Sequence, residues 1–528
     1  MSEKITRKDF LRALGYSAVA TGIAPMGLAR ARVVQREMQS HSNVCRDLVP
    51  RIRKRGSTVR LYPAEALERT GNVRFGPAEL DVMLPFFGDG DVVWEVPVPA
   101  AGAYKVQACY SATKEGTALE IACGSSAIRH AAEITEGFFL PDPAGPSPNP
   151  GGPDETSFWS ERGFYNFERV ILHETLQLRC GVNVVKLRVR GPKGGELFRL
   201  RSLELAPEAQ TVEIQRSRER ALRHRSNTDW FVNAGYGVWF HFLDLTTPRH
   251  GPPKAYAQAV DALDVEALAA RVEDMGAGYV IFTTNHGDPT CPAPIKSWEA
   301  IHPGWTTRRD LIADLAQALN RRGIRLMLYM NCPGLGDLVQ LPGTGVDRPT
   351  YSEEEYADIL ARVLREFSLR YRDKVAGYWF DSWFQTGEAY PDLPYEALSH
   401  AIKAGNPDCL VAYNYWAFPV ETDWQDYWAG ELTTLPLKRF GSRFIRHGAG
   451  QGLQAHSAIR LDSNWFHVTP NTSIGPPLYT AEQLGAYINT CRQDRAVVSI
   501  GIAIYQDGTT DDSSQRVMRE VRRIVRGT

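Results

Sequence analysis

The chain has 528 residues, 43% apolar and 23% charged, with 60 Lys and Arg against 61 Asp and Glu. That length can bury large cores and divides into two or three domains at about 100–200 residues each. A net charge of −1 argues against a nucleic-acid binder held by broad basic surfaces and against disorder driven by charge.

Cysteines stand at 45, 109, 123, 180, 291, 332, 409 and 491 and form no CxxC pair. Zinc-ribbon and redox readings therefore have no support. The cysteines read as small buried hydrophobes, with one or two disulfides open if the chain is exported.

The first predicted element is a leader. Lys4, Arg7, Lys8 and Arg12 precede a weakly apolar run from Ala13 to Ala29, then the small-x-small step Ala29-Arg30-Ala31. This order marks a cleaved signal over residues 1–31. The run is short for a membrane span and is broken by Gly15, Gly22, Pro25 and Gly27. Thr6 to Arg12 resembles the bacterial twin-arginine signal, with Lys8 at the second arginine. A periplasmic or extracellular protein is expected. No other segment is apolar enough to span a bilayer.

From 58 to 206 the pattern alternates with period two: VVWEVPVP (92–99), AYKVQACYS (103–111), ALEIACG (118–124), VNVVKLRVR (182–190) and LFRLRSLELA (197–206). Short strands of this kind, separated by loops such as PDPAGPSPNPGGPDE (141–155), predict a β-sandwich or jelly roll. A charged linker is expected over 207–229.

From 230 to 528 strands and helices alternate. The strand candidates are GYGVWFHF (235–242), GYVIFTT (278–284), RLMLYMN (325–331), VAGYWFD (375–381), CLVAYNYW (409–416), DYWAGE (426–431), AIRLDSNW (458–465) and AVVSIGIAIY (496–505). Helical periodicity fills the gaps, and Ser352 with Glu355 predicts a capping box. Eight strands alternating with helices predict an α/β fold, a (β/α)8 TIM-like barrel. A doubly wound sheet is the alternative. It would normally open on a Gly-rich phosphate turn after a strand, and GPKGGE and GAGQG follow no such strand.

In a barrel, chemistry sits at the C-terminal strand ends. Those ends carry His241 and Asp244, then His286, Gly287 and Asp288, then Tyr329 and Asn331. Further along come Trp379, Asp381 and Trp383, then Asn414 and Trp416, Glu431, and Trp465 with His467. Ten of the twelve tryptophans fall at or after residue 230. Carboxylates, histidines and aromatic rings on one rim predict a carbohydrate site. Sugar hydroxyls need fixed partners, and sugar C–H faces pack on rings. Glycosidic hydrolysis needs two carboxyl groups, one kept protonated by its surroundings. Asp381, at the end of an apolar strand beside Trp379 and Phe380, suits such a role.

These residues resemble the family 29 glycoside hydrolases, the retaining α-L-fucosidases. GVWFHF is similar to that family's GIFIHWG, FTTNHGDP to its LTAKHHDGF, and GYWFDSW to its WFDG. AYNYW is similar to its Asn-Asp-Arg strand, DYWAGE to its DYxTPE, and NWFH to its serine-Trp-Gly-Tyr motif. The resemblance implies Asp381 as nucleophile and Glu431 as acid/base, with Glu388 and Glu421 as competitors for the second role. It implies sugar contacts from His241, His286, Asp288, Tyr329, Trp379, Trp383, Asn414, Trp416 and Trp465.

The chain departs from the pattern at Gly287, where the family has a second histidine, and at Trp416, where it has an arginine. Because the 528 residues end soon after the last expected helix, a C-terminal β-sandwich like the family's is not expected within them. The β module before the barrel resembles galactose-binding-like jelly rolls, which implies a carbohydrate-binding module or a brace for the barrel.

A fucosylated or related glycan is the expected partner, with no nucleic acid and no cofactor. No metal is expected, because His241, His286 and Asp288 lack HExxH or HxH spacing. No GxSxG elbow follows a strand, which argues against a Ser-His-Asp hydrolase. A glycosidase for another sugar and a non-catalytic glycan binder are the alternatives.

Overall fold

The computed structural model describes residues 53–55, 58–73, 84–112, 114–135, 167–192, 196–286, 288–331, 339–340, 347–348, 351–383, 386, 390, 392–415, 422–431, 435, 440–446 and 450–527. The expected leader over 1–31 and the loop 141–155 lie outside the described residues.

The first unit is antiparallel throughout. Its strands are β1 (Arg53–Arg55), β2 (Thr58–Leu61), β3 (Glu68–Val73), β4 (Leu84–Val98), β5 (Gly102–Ala112), β6 (Ala118–Cys123), β7 (Ser126–Ala131), β8 (Glu168–Leu178), β9 (Gly181–Arg190) and β10 (Phe198–Pro207). All ten belong to one sheet. β10 is its junction, pairing with β2, β4 and β5. Along β4, Val92, Trp94, Val96 and Val98 are buried while Glu95 is exposed, the alternation expected of a strand with one wet face. Trp94, Val106, Ile121, Leu187 and Leu203, drawn from both arms of the sheet, share one apolar core.

The stretch expected as a charged linker is instead mostly a helix, Thr211–His224. Its Ala221 is buried in the apolar core of the second unit, and Arg220 pairs with Glu396 at 2.9 Å. The helix is therefore anchored on the second unit rather than free.

That second unit is built on a parallel sheet of β11 (Tyr236–Phe240), β12 (Tyr279–Thr283), β13 (Arg325–Asn331), β16 (Val375–Asp381), β17 (Leu410–Tyr413), β18 (His456–Arg460) and β19 (Val497–Gly501). A two-strand hairpin, β14 (Val339–Gln340) with β15 (Asp347–Arg348), stands apart from it. The sheet order is β17-β16-β13-β12-β11-β19-β18. Residues 426–431 lie between its two edges. On one side Asp426 N donates to Val411 O at 2.8 Å; on the other Ala458 N donates to Gly430 O at 2.7 Å. The result is a barrel-like sheet.

Side-chain alternation divides its interior into two cores. Trp239, Ile281, Met327, Trp379, Ala412, Ala429, Ala458 and Val497 point inward and form one cluster. Val238, Phe240, Val280, Leu328, Phe380, Val411 and Ile500 point outward and meet the helices. Cys291 and Cys409 are buried in this outer core, as small hydrophobes should be.

The helices follow the expected periodicity: Val265–Asp274, Leu311–Asn320, Glu353–Tyr371, Tyr395–Ile402, Ala481–Gln493 and Asp512–Arg526. The capping box forms as predicted. Ser352 Oγ accepts from Glu355 N at 3.2 Å and Glu355 Oε2 accepts from Ser352 N at 2.8 Å.

Candidate active site

Period-two alternation carries each strand's inward row past its last core residue to one side chain in the mouth. After Trp239 comes His241; after Met327 and Tyr329, Asn331; after Trp379, Asp381. After Ala412 comes Asn414, after Ala429 Glu431, and after Ala458 Arg460. At β19 the inward position is Gly501. An added Cβ there would lie 2.4 Å from the Trp465 ring, so glycine makes room for the tryptophan.

Asp381 receives three hydrogen bonds. Tyr329 OH donates to Oδ2 at 2.5 Å; Asn414 Nδ2 and Ser382 N donate to Oδ1 at 2.9 and 2.7 Å. Ser382 takes a left-handed φ of 53° to present its N–H in this way. Asn414 Nδ2 also donates to Glu431 Oε2 at 2.6 Å. One amide nitrogen thus holds both carboxyl groups, and the two bonded oxygens stand at most about 5.5 Å apart. Asn414 is fixed in turn through its backbone. Its N–H donates to Phe380 O at 2.7 Å and its carbonyl accepts from Trp383 N at 3.1 Å.

Burial, and then the neighbouring Asp381 charge, push Glu431 up to about 8, against the opposing pull of Asn414 and Arg460. Gly430 positions it. The glycine adopts φ 60°, and a Cβ there would meet His456 O at 2.0 Å.

The floor and one wall are aromatic. Tyr329 stacks on Trp379 with centroids 5.6 Å apart, and His286 lies parallel to Tyr329 at 5.9 Å. His241 stacks on Trp239 at 5.0 Å and meets Trp465 at 5.8 Å. Burial holds both His241 and His286 below the ordinary histidine value, so both favour the neutral form. In each the Nδ1 atom is buried and has no hydrogen-bond partner among the described residues. These atoms are ready to meet a polar ligand.

Asp381, Glu431, Asn414, Tyr329, His241, His286 and Trp465 therefore come together as expected. Trp379 is 1% exposed and donates Nε1–H to Ala429 O; it supports the site from below. Asp288 is exposed at the rim, where it hydrogen-bonds Asp244. Burial, with help from Asp288, pushes Asp244 up to about 7.

Trp383 is a correction. It is fully buried on the helix side, packs on Tyr413 at 4.3 Å and donates to Tyr395 OH. Ser382 turns the chain at the strand end, and the next side chain falls into the outer layer. Gly287, Trp416, Glu388 and Glu421 lie outside the described residues.

Asn285 and Arg460, to which the sequence gives no role, also stand in the site, beside Asn331, which the strand-end rule names. Asn285 exchanges two hydrogen bonds with the Asn331 backbone, at 2.8 and 3.0 Å, and Asn331 Nδ2 reaches Ser382 Oγ at 3.2 Å. Arg460 escapes notice because the apolar run extends the expected strand to Trp465, whereas β18 ends at Arg460.

A glycoside hydrolase domain is what this part of the chain carries. Residues 255–429 match the model of the alpha-L-fucosidase family, a stretch that includes Asp381 and Asn414 and ends two residues before Glu431. No curated protein matches the chain. Among solved structures it is similar to the alpha-L-fucosidase AlfC from Lactobacillus casei in complex with alpha-L-fucose, at 15% identity and TM-score 0.42 over 57% of this chain and 99% of that one. It is similar to the endo-fucoidan hydrolase MfFcnA4 from glycoside hydrolase family 107, at 16% identity and TM-score 0.42 over 57% of this chain and 53% of that one. A bacterial fucosidase with a triazole inhibitor aligns at 13% identity and TM-score 0.42, over 57% of this chain and 74% of that one. Among the described residues, no helix is long and apolar enough to cross a membrane.

Proposed function

We propose that the protein is a retaining exo-glycosidase acting on α-L-fucosides or a closely related sugar. The observation that carries this reading is the shared Asn414 amide. It keeps the bonded oxygens of Asp381 and Glu431 within about 5.5 Å, and retaining enzymes hold their carboxyl groups about 5–5.5 Å apart, whereas inverting ones need about 6.5–9.5 Å.

Asp381 attacks the anomeric carbon while the glycosidic bond to the leaving oxygen breaks. Glu431, protonated at neutral pH, gives its proton to that oxygen. Water then displaces Asp381 from the glycosyl-enzyme, and Glu431 takes the water's proton. His241, His286 and Trp465 bind the sugar. The fucoside class is taken from the family match; Gly287 and Trp416 point to weak turnover of plain aryl fucosides.

The same proposal reads the parallel unit, 230–528, as a (β/α)8 barrel and the antiparallel unit, 58–206, as a jelly-roll module. It keeps 1–31 as an export signal.

Asp381→Gly should lower turnover by several orders of magnitude, with azide restoring part of it and forming a glycosyl azide. Proton NMR of the first-formed sugar should show retained configuration. An inverted product overturns the mechanism, and near-normal turnover of the variant overturns the nucleophile.

A further inference from the structure

Arg460 is a cation at the mouth that acts on Glu431 across the gap between their strands but, among the described residues, forms no ion pair. It ends β18, two residues beyond Ala458, which points into the barrel and forms a bridge with Glu431 on the adjacent segment. Alternation puts Arg460 on the same inward face, one strand from Glu431. Its Nη1 donates to Ser463 O at 2.8 Å, while Nε is buried without a hydrogen-bond partner among the described residues. No Asp or Glu among those residues lies within ion-pair distance of it. A guanidinium stays charged at any working pH, and a buried N–H left unpaired is costly. Such a group in a binding mouth marks a place for a missing acceptor.

The sequence around it carries an independent signal. The thirty residues 432–461, which join Glu431 to the end of β18, contain Lys438, Arg439, Arg443, Arg446 and Arg460 and no Asp or Glu. Arg443 is neutralised by Asp229 at 2.7 Å. Arg446 donates to a backbone carbonyl, Gly441 O, at 2.6 Å. The segment joining Glu431 to the end of β18 is therefore rich in cations along the sequence, in a chain whose net charge is −1.

We infer that Arg460 anchors an oxyanion-accepting subsite on the leaving-group side, so that the glycan taken here carries a carboxylate or a sulfate ester near the scissile bond. The planar guanidinium fork matches such groups bidentately. The placement on the leaving-group side rests on Glu431 being the acid that protonates the leaving oxygen; the binding of an oxyanion at Arg460 does not.

The test is calorimetric binding of methyl β-D-glucuronide and methyl β-D-galactoside 6-sulfate to the full chain at low salt, with methyl β-D-glucoside and methyl β-D-galactoside as uncharged controls. At least one charged sugar should bind tenfold or more tighter than its control. Arg460→Met should abolish that preference, and Arg460→Lys should keep part of it, since the charge stays and the fork is lost. Preference for the glucuronide alone assigns a uronate; preference for the sulfate alone assigns a sulfate ester. Equal binding of charged and uncharged sugars by the native chain overturns the inference, as does a preference that survives Arg460→Met at full size. Binding is read without turnover, so failure to cleave α-L-fucosides counts against the hydrolase reading and leaves this result standing.

Discussion

Glu431→Gln isolates the electrostatic tension in the site. A carboxyl group raised from 4.5 to about 8 by burial and by Asp381 holds a proton in the folded chain that the unfolded chain has already released. Between those two values the native state binds more protons, so stability falls as pH rises. Each step of one in pH across that window costs about 1.4 kcal/mol, and the full span amounts to about 5 kcal/mol. The penalty is absent below pH 4.5 and complete above about 8. Glutamine keeps the shape and cannot ionise. The variant should therefore gain on the native chain steadily from about pH 5 to 8 and level off above that, by several kcal/mol in all. Urea denaturation at a series of pH values measures the difference. The activity profile gives a second reading, because the free enzyme's acid sets the alkaline limb of kcat/KM, and that limb should fall near pH 8. If the stability difference stays flat within about 1 kcal/mol over this range, the folded and unfolded chains hold the Glu431 proton almost equally, and the reasoning is refuted.

Asn414→Leu removes the donor shared by both carboxyl groups. One charge-assisted bond at about 1.5–3 kcal/mol and one neutral bond at about 0.5–1.5 kcal/mol set a loss in kcat/KM of about thirtyfold or more. The alkaline limb should move upward, since Asn414 pulls Glu431 down; an unmoved limb counts against the bridge. Gly501→Ala places a methyl 2.4 Å from the Trp465 ring. Overpacking of this kind costs about 1–3 kcal/mol, so the melting temperature should fall and sugar binding weaken, whereas an unchanged melting curve shows that Trp465 can move aside. Lys403→Met strands Asp426, which is 1% exposed and paired with Lys403 at 2.9 Å. Breaking a buried pair costs about 3–5 kcal/mol. Because Asp426 also accepts from Val411 N at 2.8 Å, the segment leading to Glu431 should loosen and activity should fall with stability. Full activity at native stability would show that this ion pair does not hold the segment.

Much of the architecture is legible along the chain because it is set by local periodicity. Runs such as RLMLYMN and VAGYWFD are apolar on both faces, as strands between two cores must be, and the helices between them carry period 3.6. The strand-end rule then points to His241, Asp381 and Asn414 without any contact being known. What the chain does not disclose is which face a residue takes where the strand stops. Trp383 and Asp381 are two residues apart, yet the positive φ at Ser382 sends one into the mouth and the other among the helices. Arg460 is hidden by an error of five residues in one strand end, enough to move the site position from Arg460 to Trp465.

The sequence by itself determined the alternation of elements, the inward and outward rows of each strand and the residue types at the rim, because these depend on neighbours a few positions away. The tertiary structure decided the rest. Asn414 and Glu431 are 17 residues apart, and Asp381 lies 33 from Asn414. Only the curl of the sheet brings one amide to both carboxyl groups. The proton on Glu431 likewise follows from burial beside Asp381, a property of distance and solvent exclusion that no spacing along the chain encodes.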